Sequence, residues 1–130
     1  MVRGFEELTA PITDGERDMA EALKEAIERR PRGKRGAWTA TQMAEYLGLK
    51  KSTSGPTVRK IVHYLRVTGR VPLLLAGSYG YYRAESPEEA EDYVIGVRQR
   101  IGGMQEIVSA IKRQARRTEA VQLDLYTEAP

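Results

Sequence analysis

Apolar residues recur along this chain in two rhythms, one of helices and one of strands. Between Thr13 and Arg29 they fall at Met19, Ala20, Leu23, Ala26 and Ile27, the three-and-four spacing of one helix face, and Thr13 with Glu16 forms a capping box at its start. A short second helix is predicted from Thr39, with Gln42 completing its capping box, Trp38 and Met43 at the positions of a hydrophobic staple, and Gly48 as its stop. A third helix is predicted from Gly55-Pro56 to Thr68, closed by Gly69, because proline at a first helical position loses no needed N–H. Its stripe is Val58, Ile61, Val62 and Leu65. The rhythm then changes: Val71 to Ala76 and Tyr81 to Ala84 are β-rich runs around Gly77-Ser78-Tyr79-Gly80, which predicts a hairpin. Pro72 asks for an edge position in that hairpin, and either Leu73 with Leu75 or Leu74 is expected beneath the third helix.

A last helix is announced by Ser86, Pro87 and Glu89. Its apolar positions are Ala90, Val94, Val97, Ile101, Met104, Val108, Ile111 and Ala115, in steps that alternate between four and three. That is the 3.5-residue period of a coiled-coil seam, with Val94, Ile101 and Val108 at a and Val97, Met104 and Ile111 at d, and it predicts a dimerisation helix. Packing of the same stripe back on the preceding domain is the alternative, since Gly102-Gly103 costs about 1 kcal/mol per glycine in a helix. The flanking Arg98, Arg100, Gln105, Lys112 and Gln114 show no obvious pairing. The chain therefore divides into a loose leader at 1–12, a domain at 13–85, a long helix at 86–117 and a flexible tail at 118–130. The expected class is mainly α with a small β-hairpin.

Charge gives the outer face of the third helix its interest. Residues 29–70 hold eleven Lys or Arg and one acid, Glu45, a net of +10 inside a chain whose total is only +3. Such a block is an electrostatic footprint for a polyanion. Pro56, Lys60, His63 and Val67 lie opposite the apolar stripe, flanked by Arg59 and Arg66 on one side and Thr57 and Tyr64 on the other. A helix with that face can enter a DNA major groove, its flanking cations on phosphates. Lys50, Lys51, the loop residues Arg32, Lys34 and Arg35, and Arg83 in the hairpin are further candidate DNA contacts.

The absence of cysteine excludes disulfides and thiolate metal sites, no apolar run approaches membrane-spanning length, and Met1 to Leu8 lacks a signal-peptide core. A cytoplasmic protein with no membrane partner is expected. With His63 the sole histidine and neither a phosphate-cradling glycine loop nor a metal-ligand cluster, no enzyme, cofactor or metal is expected.

Helix, helix-turn-helix and hairpin is the order of a winged helix domain. The residues VRKIVHYLRVTG at 58–69, VPLLL, and GSYGYYRAESPEEAEDY through Tyr93 resemble small winged-helix proteins of phages and prophages. The resemblance implies double-stranded DNA as partner and a bacterial host cytoplasm. It departs in the turn, read here as Lys50 to Gly55 and so longer than that of simple repressors. Near the end of the chain, Gln122-Leu123-Asp124-Leu125-Tyr126 resembles the peptide by which bacterial replication and repair proteins dock on the sliding clamp. Leu125 and the ring of Tyr126 would fill an apolar pocket, with Gln122 at its rim. Three readings follow: a phage-type replication or repair accessory that binds DNA and the clamp, a dimeric transcription regulator, and an adaptor or inhibitor of host replication.

Overall fold

The computed structural model describes residues 11–128; the side chains at 51–54 and 123–128 lie outside what it describes, as do residues 1–10 of the expected leader. The chain divides between Ala90 and Glu91 into two compact units.

In the first unit, α1 spans Asp14–Glu28 and begins at the expected capping box: the Thr13 hydroxyl accepts from the Glu16 N–H at 3.1 Å and the Glu16 carboxylate accepts from the Thr13 N–H at 2.9 Å. Helix α2, Ala40–Tyr46, repeats the device with Thr39 and Gln42. It ends in a Schellman motif, in which Gly48 at φ +68° donates to the Glu45 carbonyl and Leu49 to that of Ala44. Helix α3 spans Lys51–Val67, with Gly69 at φ +73° beyond its last turn.

The start of α3 corrects the sequence reading. Pro56 lies inside the helix, not at its first position, and the turn from α2 is the four residues Leu47 to Lys50. The missing proline N–H removes one intrahelical bond, yet the preceding Lys51 to Gly55 hold helical backbone ahead of it.

The hairpin pairs β1 (Leu74–Gly77) with β2 (Gly80–Arg83), antiparallel, with Leu75 opposite Tyr82 and a two-residue turn at Ser78-Tyr79. Pro72 precedes the strand and is no edge residue of it. Leu74 and Leu75 are both buried, whereas Leu73 is exposed at φ +56°, so the simple alternation expected of the three leucines fails where the chain kinks into the strand. On the other side of β2, Trp38 exchanges two backbone hydrogen bonds of 2.9 Å with Tyr81. Gly80 makes this approach possible: at φ +117° a Cβ there would lie 2.6 Å from the Trp38 carbonyl.

These elements enclose one core. Leu23, Met43, Val58, Ile61 and Leu65 are completely buried, and Val62 and Val71 nearly so. The α3 stripe supplies four of these residues and touches both α1 and α2.

Helix α4 runs Pro87–Glu128. Its start uses the Ser86 hydroxyl on the Glu89 N–H, while the Glu89 carboxylate reaches the Glu85 N–H, one residue earlier than in a full capping box. The expected end at Arg117 is too early: the backbone of the expected flexible tail is helical through Glu128, because Thr118 to Glu128 contain neither glycine nor proline although the seam has lapsed. Val94, Ile101, Met104, Val108 and Ile111 are 46–65% exposed in the single chain. Among the described residues no helix is long and apolar enough to cross a membrane.

The two glycines separate conformational strain from steric clash. Gly48→Ala should cost about 1 kcal/mol for the left-handed backbone alone, since a Cβ there meets nothing, while Gly80→Ala must also push β2 off Trp38 and should cost at least twice as much. Urea denaturation of the two variants checks the order.

Candidate nucleic-acid interface

The buried stripe of α3 fixes the rotation of the helix and therefore which side chains leave it outward. Pro56, Arg59 and Val67 are exposed, and His63 is half-buried on the same side. Arg59 has no hydrogen-bond or ion-pair partner among the described residues. An open groove between α3 and the chain entering β1 is lined by His63, Arg66, Val67, Leu73 and Leu74. Arg66 forms one wall, its Nε donating to the Leu74 carbonyl at 3.0 Å. The groove thus joins a cation, an imidazole and two exposed apolar side chains, Val67 and Leu73.

Several cations of the basic block are used elsewhere. Lys60 does not join the outer face: its ammonium donates to the Glu16 carboxylate of α1 at 2.8 Å, and the two side chains are only 15% and 16% exposed. The four-carbon stem lets a residue opposite the stripe fold round to the neighbouring helix. Burial pushes the Glu16 carboxyl up, but hydrogen bonds from Lys60 and Thr13 and the Lys60 charge outweigh it and hold the group below its ordinary value of 4.5. Tyr64 also turns toward the core and packs against it, while Thr57 is half-buried. Arg70, beyond the helix, is paired with Glu21.

The loop Arg29 to Gly36 is built by its own arginines. Arg30 donates through Nε to the Gly36 carbonyl at 2.9 Å and through its terminal nitrogen to the Ala37 carbonyl, and its guanidinium lies 5.2 Å from the Trp38 ring centre. Arg32 donates to the Ala84 carbonyl, and Arg83 to the carbonyls of Glu28 and Arg30 at the end of α1. Gly33 N–H donates to the Arg83 carbonyl, which ties the loop to the end of the hairpin opposite Ser78-Tyr79. Of the expected contacts in this region, Lys34 and Arg35 are exposed and unpaired among the described residues, whereas Arg32 and Arg83 brace the fold.

Lys50 occupies the position before α3, makes no side-chain cap to it and is exposed; the side chain of Lys51 lies outside the described residues. On the hairpin, Tyr82 is buried and Tyr81 packs on the core, leaving Tyr79 in the turn 67% exposed. Sequence reasoning missed Arg30, whose two carbonyl partners depend on loop geometry, and Leu73, whose exposure follows from a backbone kink with no sequence signature. The Gln122 to Tyr126 segment lies on the helical backbone of α4, with side chains from 123 outside the described residues. Among the described residues no group of three or more His, Asp or Glu side chains is placed to hold a metal ion. Comparison with family models, with curated proteins and with solved structures finds no match to this chain.

Because the folded value of Glu16 is depressed, the stability from its pairing with Lys60 is complete above pH 4.5 and lost as pH falls through the lower folded value. Lys60→Met should cost about 1–2 kcal/mol at pH 7, and Glu16→Gln should reduce the loss of stability on acidification. Thermal melts from pH 7 to pH 3 check both.

Proposed function

We propose that the first unit is a winged helix-turn-helix domain that binds double-stranded DNA through the outer face of α3, and that α4 makes the protein a homodimer. The observation that carries this reading is the exposed Arg59, unpaired among the described residues, beside His63 on a helix whose opposite side is locked into the core. A four-residue turn between α2 and α3 and a hairpin after α3 support it, since they are the parts that present one helix to a major groove. Arg59 neutralises a phosphate. His63 reads a base edge, and the methyl groups of Val67 and Leu73 suit the apolar edge of thymine. Tyr79 in the hairpin turn is the wing residue available to touch the backbone.

The exposed seam of α4 supports association, and a two-fold protein matches two-fold half-sites. A dimeric transcription regulator fits this arrangement better than a clamp-recruiting accessory. Docking on a clamp as an extended peptide would require the helical backbone at Gln122 to Tyr126 to unwind first.

Titration of labelled duplexes at two salt concentrations tests the DNA reading. Arg59→Ala should weaken binding to all sequences alike and reduce the salt slope by about one unit; His63→Ala should relax base preference; Lys60→Met, its partner being Glu16, should leave the slope unchanged. No binding by the intact protein at low salt overturns the proposal. For the dimer, Ile101→Asp with Val108→Asp should abolish association in sedimentation, because each buries a charge in the seam.

A further inference from the structure

The apolar seam of α4 is symmetric about its own midpoint, and the charge on its flanks is the opposite of symmetric. From the point between Gly102 and Gly103, Ile101 and Met104 are equally distant, as are Val97 and Val108, Val94 and Ile111, and Ala90 and Ala115. A second copy laid antiparallel over that midpoint sets every a residue against a d residue, the layer pattern that antiparallel coiled coils need, with alanine facing alanine at both ends and branched aliphatics between.

Either direction of pairing could bury the stripe, so charge decides. Residues 84–97 contain Glu85, Glu88, Glu89, Glu91 and Asp92 and no cation, whereas residues 107–117 contain Lys112, Arg113, Arg116 and Arg117 and no acid. A parallel pair sets carboxylates beside carboxylates at one end and cations beside cations at the other, a repulsion that salt screens only in part. An antiparallel pair places each acidic end on a basic one, twice over. Beside the seam, Glu91 and Lys112 occupy the same flanking heptad position and meet across the interface in both symmetric copies.

We infer that two copies of α4 pair antiparallel in this single register, with the Gly102-Gly103 step at the two-fold axis. This deepens the dimer reading above and rests on it.

The chain has no cysteine, so introduced ones report the register directly. Val94→Cys and Ile111→Cys are prepared separately as full chains, mixed under reducing conditions to exchange subunits, and then oxidised. The antiparallel register gives a disulfide-linked dimer only in the mixture, and neither variant crosslinks with itself. Self-crosslinking of Val94→Cys, or a dimer that fails to crosslink in the mixture, overturns the register while leaving the dimer standing. A wild-type monomer in sedimentation at tens of micromolar, an order-of-magnitude range for modest interfaces, overturns the dimer reading and the register with it; duplex binding, read separately, is untouched. As an independent arm, Glu91→Lys and Lys112→Glu should each weaken association about tenfold, and the two changes in one chain should restore it. Failure of that restoration counts against the register.

Discussion

Everything useful in the first unit depends on the burial of one stripe of α3. Val58, Ile61, Val62 and Leu65 are at most 1% exposed, and truncating any of the larger ones to alanine would cost about 2–5 kcal/mol, a large share of what a domain this size has to spare. A helix held so firmly on one side cannot rotate about its axis. Arg59, His63 and Val67 therefore leave the fold in a fixed direction, set by packing and not by any contact of their own. The Trp38–Tyr81 bridge and the close approach at Gly80 hold the hairpin on the same core.

The positive charge of the first unit is used unevenly. A tally along residues 29–70 treats all cations as available to a polyanion, but Lys60 and Arg70 are bound to carboxylates of α1, and Arg30 and Arg32 to backbone carbonyls of the loop and hairpin. Arg83, outside that segment, caps the end of α1 in the same way. Such bonds satisfy carbonyls that a tight loop and a helix end would otherwise leave without donors. Among the described residues, what remains outward is more local: Arg59 on α3, Lys50 just before it, and Arg29, Lys34 and Arg35 on the loop.

Local signals were legible in the sequence and distant ones were not. Both capping boxes, the glycines that end α2 and α3, the hairpin turn and the start of the long last helix are each specified within a few residues, and each lies where those residues direct. Pro56 misled because a proline tolerated inside a helix has the same sequence appearance as one that starts it. The helix α4 outran its seam because helical propensity continues after the apolar period stops. Lys60 looked like a base-reading residue since its partner, Glu16, stands 44 positions earlier, and nothing local marks a pairing that tertiary packing creates. The same holds for Arg32 and Arg83, whose carbonyl partners lie across the loop and hairpin.

The most direct measurement is an NMR titration of the labelled full-length protein with a short duplex at low salt. Binding through the outer face of α3 predicts shifts concentrated at Arg59, His63 and Val67, with Tyr79 of the hairpin turn joining them, and none at Asp18 or Glu25 on the exposed acidic side of α1. Shifts centred on α1 or α4, or no shifts at any residue, would contradict it.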